Sequence, residues 1–311
     1  MTANKKNFFV STLQTETNKN KTGETKKKGG RRKMGKFLDL LSSQKNHSRD
    51  SKPLSNPSKQ KPSFSVALMF LTYDNVNRPE IWHRFLQETG GERFRPYIHN
   101  KHPFECSFGF DQFQIPEKVK TKWGHKSLVA ATLKLMHEAL KDPRNEFFAL
   151  LSNSCIPIQS PESILADLEK NGRSRMLYRL SNVSLDSYYA KPDFWGPGPH
   201  VFQSQWMLLN KNAANFFVQK NFVSYFFDTT RMILDEHYFA NIFLKFNLKF
   251  DNSASTFVNW EESTEPCHPK TYTEITAKDI QNIREQNPRA FFMRKIATST
   301  VFHFDEDVWK V

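Results

Sequence analysis

The sequence predicts an α/β fold with a largely parallel central sheet, preceded by a basic segment without a core of its own. Three observations carry this expectation. Almost continuous apolar runs of strand length occur at Phe64–Thr72 and Glu146–Leu151, as suits strands buried on both faces. Helical patterns with start signals follow each run. The cationic excess is confined to one end of the chain.

Residues 1–62 hold 16 of the 45 Lys and Arg but only 4 of the 32 Asp and Glu, a net charge of +12, which leaves 29 against 28, or +1, for the rest. The segment is rich in Lys, Asn, Ser, Thr and Gly, with Lys26-Lys27-Lys28 and Arg31-Arg32-Lys33 close together. Its apolar surface is too small to offset the entropy of ordering, so it is expected to be a disordered tail with at most a short helix at Lys36–Leu41. Such a tail suits contact with an anionic membrane, nucleic acid or an import factor, or is simply a solvated arm. The near-neutral body at 63–311 has no overall cationic field and does not read as a nucleic-acid binder.

Within the body, the first strand ends in the loop Thr72-Tyr73-Asp74-Asn75. Asn77-Arg78-Pro79 then offers a helix start, with Ile81, Trp82, Phe85 and Leu86 on one face. The segment Val119–Leu140 fits an amphipathic helix capped near Ser127. The second buried strand ends at Ser152-Asn153-Ser154-Cys155-Ile156-Pro157, and Ser160-Pro161-Glu162-Ser163 opens another helix. Farther on, Phe202–Asn210 is expected as a strand, Lys211–Lys220 as a helix, and Asp235-Glu236-His237 as the start of a helix through Phe243. In folds of this kind ligands sit at the carboxyl ends of the strands, so the loops after Leu71 and Leu151 are the first places to look.

The three cysteines, Cys106, Cys155 and Cys267, are far apart and form no CxxC pair. This indicates neither a zinc site nor a disulfide framework. No run of about 18 apolar residues occurs, and Met1–Val10 lacks a signal-peptide core. As written, the sequence reads as that of a soluble cytoplasmic chain. The pair Asp235-Glu236, between Met232-Ile233-Leu234 and Tyr238-Phe239, leaves two readings open: an N-cap with an ordinary first-turn Glu, or a partly buried general base.

Four segments occur together in a recognisable order: Trp123-Gly124 with Ser127-Leu128-Val129, then Leu150 to Pro157, then Ser204-Gln205-Trp206, then Asp235 to Phe239. Through them the sequence resembles the core-2/I-branching glycosyltransferases, closest to their plant-type members and more distantly similar to the peptide O-xylosyltransferases, from about Phe64 to about Thr298. The resemblance implies a GT-A-like fold and an inverting, metal-independent transfer of a GlcNAc-like sugar from a UDP-sugar to a glycan or protein hydroxyl. It implies Glu236 as the base, with Asp235 orienting or capping. It implies Lys295, in Phe291-Phe292-Met293-Arg294-Lys295, and Lys270 against the diphosphate, and Thr72 and Tyr73 against uracil and ribose. Trp260 and Trp206 are implied on the acceptor side. No metal or other cofactor is expected, and Asp305-Glu306-Asp307 is read as a solvated acidic end. Cys155 is read as a buried thiol. A catalytically silent carbohydrate-binding protein on the same fold is the alternative. Relatives in this family are Golgi membrane proteins.

Overall fold

The structure, a computed structural model, describes residues 64–103, 107–181, 200–226, 233–263 and 268–311. The expectations for the tail, Cys106 and Cys267 lie outside these residues.

Strand β1 (Ser65–Thr72) lies between β2 (Phe94–Asn100) and β3 (Asn145–Ser152), parallel to both, and β7 (Leu208–Asn210) adds antiparallel to β3. The apolar runs are continuous because both faces of this sheet are covered. Val66, Leu68 and Phe70 of β1, with Phe147, Ala149 and Leu151 of β3, enter one core. The alternate residues Ala67, Met69, Phe148 and Leu150 enter the other. A strand with only one buried face would show polar residues at every second position.

The first core receives α1 (Pro79–Gln87), whose Ile81, Trp82, Phe85 and Leu86 are buried as the spacing predicts. It also takes residues of β4 (Ile156–Pro157), α3 (Pro161–Asn171), β9 (Tyr272–Thr276), α6 (Ala277–Gln286) and β10 (Phe292–Arg294). Proline begins α1 and α3, and the Ser160 hydroxyl accepts from the Ser163 N–H at 3.2 Å to cap the latter. The second core receives α2 (Lys126–Ala139), α4 (Lys211–Lys220) and α5 (Phe239–Lys245). His125, not Ser127, caps α2: its Nδ1 accepts from the Ser127 N–H at 3.2 Å.

Two expectations change. The stretch expected as one strand at Phe202–Asn210 is two, β6 (Val201–Gln203) and β7, separated by Ser204–Met207. The first pairs antiparallel with β5 (Tyr178–Leu180), the second with β3 in the central sheet. The helix expected from Asp235 is a 3₁₀ turn at Leu234–Glu236, and α5 begins only at Phe239. Three short strands, β4, β10 and β8 (Thr256–Val258), form a second sheet. β11 (Ile296–His303) pairs parallel with β9.

The indole N–H of fully buried Trp82 donates to the Cys155 carbonyl at 3.0 Å, tying α1 to the loop that follows β3. Trp82→Phe keeps an aromatic ring but removes the donor from a buried carbonyl and leaves a void. We expect a loss of about 2–4 kcal/mol in urea unfolding, with the slope of the transition unchanged. A loss within error would show that this hydrogen bond does not fasten the loop.

Candidate active site

The carboxyl ends of β1 and β3 are joined to the segment after β10 by backbone and amide hydrogen bonds. The Asn77 N–H donates to the Asn153 carbonyl at 2.7 Å, and Ile296 N–H to the Ser154 carbonyl at 2.9 Å. The Asn77 side-chain amide donates to the Ile296 carbonyl at 2.9 Å. Residues 72–77, 152–155 and 294–296 therefore meet at one edge of the sheet, where a parallel α/β sheet places its ligand.

Thr72 is the last residue of β1 and Tyr73 the first residue after it. Thr72 is buried, its hydroxyl donating to the Asp74 carbonyl at 2.9 Å. Tyr73 is exposed, its ring edge-on to His102 at 4.7 Å and beneath the Lys101 ammonium at 4.8 Å. Beside them, at the end of β2 and in register with Thr72, is Asn100. Its amide donates to the His102 carbonyl at 2.6 Å, whereas its buried Oδ1 has no partner. A buried amide oxygen left without a donor is costly, which makes Asn100 a candidate acceptor at this strand end. Sequence reasoning missed Asn100, because an Asn at a strand end is ordinary until its burial and its missing partner are known.

The carboxylates lie on the 3₁₀ turn. Asp235 is not a helix cap: the turn has no side-chain cap hydrogen bond, and the buried Oδ1 of Asp235 is without a partner. Burial pushes its pKa up to about 7. Glu236 is half-buried and is pushed up to about 8 by burial and by the adjacent Asp235, against the opposing pull of Arg294 and Arg179. The turn is held from several sides. The Gln203 side-chain amide donates to the Asp235 carbonyl at 3.3 Å. The Leu234 N–H donates to the Gly124 carbonyl at 3.3 Å. His237 is buried, with Nδ1 3.0 Å from the Ile233 carbonyl.

The Gly124 contact explains the Trp123-Gly124 pair. Gly124 has φ of 68° and a Cβ there would lie 3.8 Å from Ile233 Cγ1, so this turn packs closely against the residues before the carboxylates. Further bonds pin the turn: Lys122 N–H to Ser127 Oγ at 3.0 Å, and His125 N–H to the Lys122 carbonyl at 3.2 Å. On it, Trp123 is 68% exposed. An open indole thus flanks the carboxylate turn, which the Trp123-Gly124 motif alone does not report.

Arg294 acts electrostatically on Glu236, more strongly than Arg179 does. Its guanidinium stacks over the Trp206 ring at 4.5 Å from the centroid and interacts electrostatically with Glu236 and Cys155. Trp206, expected on the acceptor side, is buried beneath that guanidinium, so it positions Arg294 and has almost no free face. Lys295 is half-buried, and no carboxylate of a described residue pairs with it. Its carbonyl accepts from Tyr272 N–H at 2.8 Å.

β8 and β10 pair with Val258 opposite Arg294, which brings Trp260 and Lys270 into the same neighbourhood. The Lys270 N–H donates to the Asn259 carbonyl at 2.9 Å. The Lys270 ammonium is bound to the Glu262 carboxylate at 2.6 Å and lies 4.9 Å from the Tyr272 ring centre. A phosphate would have to displace Glu262 to reach it. Trp260 is 36% exposed.

Cys155 is fully buried and free, its thiol pushed up in pKa by burial, which suits packing and not nucleophilic attack. Asp307 of the acidic end is bound by Arg84 and Lys310. Among the described residues, no three His, Cys, Asp or Glu side chains converge as a metal-binding group.

A parallel sheet that gathers an aromatic, an unpartnered amide, two raised carboxyls and a desolvated arginine at one edge has the parts of a group-transfer site. The chain belongs to the core-2/I-branching enzyme family, a glycosyltransferase family whose model matches residues 66–284. It is similar to Glycosyltransferase BC10 of Oryza sativa subsp. japonica, at 28% identity over 99 residues. That match covers 30% of this chain and 25% of the rice protein, so it spans a quarter of that relative's length. Among solved structures, a glycosyltransferase involved in the glycosylation of the major capsid of PBCV-1 shares 13% identity over 74% of this chain and 94% of that one, with a TM-score of 0.33. A197 from STIV shares 11% identity over 48% and 67%, with a TM-score of 0.25. Likenesses this distant carry no weight for the site.

Proposed function

We propose that the chain is an inverting glycosyltransferase that moves a GlcNAc-like sugar from a UDP-sugar to a hydroxyl of a glycan or protein, with Glu236 as general base, on a GT-A-like arrangement of the sheet. The observation that supports this reading is the pair of carboxyls whose pKa values are raised to about 7 and about 8 on a partly open turn. A base tuned near working pH combines a useful deprotonated fraction with a strong pull on the proton.

In this reading uracil lies at the ends of β1 and β2, where the Asn100 Oδ1 accepts from its imide N–H and Tyr73 lies alongside. Glu236 takes the acceptor proton as the hydroxyl oxygen bonds to the anomeric carbon from the face opposite UDP. The bond from that carbon to the diphosphate oxygen breaks, and UDP leaves with the electron pair. Lys295 meets the charge that develops on the diphosphate, joined by Lys270 once it is released from Glu262. Trp123 and Trp260 offer apolar faces to the acceptor.

A panel of UDP-sugars, assayed for UDP release with and without acceptor glycans and peptides, tests the proposal. We expect release above background with one UDP-sugar and turnover that survives EDTA, since cationic side chains supply the counter-charge. Loss of turnover in EDTA that manganese restores would overturn the metal-independent electrostatics. Failure of every UDP-sugar to bind would overturn the donor class.

A further inference from the structure

At the surface of the second core, α4, the 3₁₀ turn Phe222–Tyr225 and α5 build a cluster of rings that the reaction does not use. Phe216 lies 5.7 Å from Phe222 and 5.3 Å from Phe246, and Phe222 and Phe246 are stacked at 5.0 Å. Tyr225 continues the cluster at 6.2 Å from Phe222. The cluster is partly open: Tyr225, Leu244 and Phe246 are 39%, 43% and 41% exposed.

The charges on these elements have one sign. Lys220, Lys245 and Lys249 are exposed, and neither Lys211–Phe226 nor Phe239–Phe250 contains an Asp or Glu. These runs hold 16 and 12 residues; Lys211–Phe250 as a whole carries five basic and three acidic residues, and the acids Asp228, Asp235 and Glu236 all fall between the two runs. Protein–protein interfaces favour aromatics but are depleted of lysine. Aromatic and leucine side chains rimmed by lysine instead suit the interface of an anionic bilayer, where rings enter the headgroup boundary and ammonium groups meet lipid phosphates.

We propose that this face, centred on Phe246 and rimmed by Lys220, Lys245 and Lys249, docks the body on an anionic lipid surface. Charge complementarity supports the choice of occupant. The chain carries a second element of the same sign, the 16 basic against 4 acidic residues of 1–62. One weak signal gives only marginal attachment and stable attachment takes two, which an aromatic-lysine face plus a polybasic segment supplies. No helix among the described residues is long and apolar enough to cross a membrane, so this attachment is peripheral wherever these residues make it.

The test uses the full chain in sedimentation with phosphatidylcholine vesicles, with and without phosphatidylserine. Two variants are compared with the parent, Leu244→Ser with Phe246→Ser, and Lys245→Glu with Lys249→Glu. The second pair alters only exposed side chains, so it remains informative if the first fails to fold. We expect binding to the phosphatidylserine vesicles that weakens about tenfold or more in the charge variant, as reversal of two lysines near an anionic surface requires. Its thermal melt should match that of the parent, and raised salt should narrow the difference. Unchanged vesicle binding in the charge variant would overturn the proposal. So would a parent dimer that the Leu244 and Phe246 changes dissociate, which would make the face a self-interface, or a charge variant that loses affinity for duplex DNA and not for vesicles.

Discussion

Glu236→Gln lowers the rate of sugar transfer by about 10²–10⁴-fold while UDP-sugar affinity stays near that of the parent, because the amide keeps the shape of the side chain and cannot accept a proton. The wild-type rate should rise with pH and level off above about 8, as the Glu236 carboxyl, raised to about 8, loses its proton. Stability should follow the opposite course. A carboxyl whose pKa is higher in the folded than in the unfolded protein favours folding while it is protonated, and this advantage is lost as pH rises from about 4 through the folded value. Glu236→Gln should therefore melt above the parent at pH 8–9 and converge with it toward pH 4. Asp235→Asn provides the control. Asp235 is buried and does not cap a helix, so its amide variant should disturb the carboxyl pair: removing that neighbouring charge lowers the Glu236 pKa and moves the rising limb of the rate profile to lower pH. Initial rates against acceptor at saturating donor, with melting curves for each variant, decide the matter. If Asp235→Asn eliminates transfer and Glu236→Gln spares it, the base is the neighbouring carboxylate; if neither variant matters, the transferase reading fails.

What the sequence showed of this site, and what it hid, follows from the range of the interactions. The strands β1 and β3 and the starts of α1 and α3 were legible because local causes set them: apolar runs with two covered faces, and Pro79, Ser160 and Pro161 at helix entries. The turn at Leu234–Glu236 was not. Its conformation depends on the Gln203 amide, 32 residues away, and on the Gly124 carbonyl, 110 residues away, neither of which a local pattern reports. The break between β6 and β7 has the same origin, since the strand must leave one sheet, turn Trp206 under Arg294 and enter another. The position of Arg294 is set over a long range as well. Arg294 and Lys295 are adjacent, and only the pairing of β10 with β8 determines that Arg294 faces Trp206 and Glu236. Asn100 and Trp123 became candidates only through exposure and partnership, a buried acceptor left alone and an indole left open.

Arg294 is the second residue whose replacement should have a large effect. Its guanidinium is desolvated, its Nε has no hydrogen-bond partner, and burial lowers its pKa while Glu236 and Cys155 raise it. A positive charge held there partly out of solvent favours the ionised form of Glu236 and, in the proposed reaction, supplies fixed potential near the charge that develops on the diphosphate. Arg294→Met keeps an unbranched apolar stem against Trp206 and removes the charge. We expect a loss of about 10²–10³-fold in kcat/KM, comparable to removal of one preorganised charge-stabilising donor. The accompanying sign matters more than the size. Without the guanidinium the Glu236 carboxyl is held less firmly in its ionised form, so the rising limb of the pH–rate profile must move to higher pH, and Arg294→Lys should restore part of the shift. A residue that merely fills space between Trp206 and Cys155 would, when replaced by Met, lower the melting temperature and leave the limb in place. A profile that keeps its position in Arg294→Met, with the rate reduced or not, would remove Arg294 from the electrostatics of the base and leave Lys295 as the cation to test next.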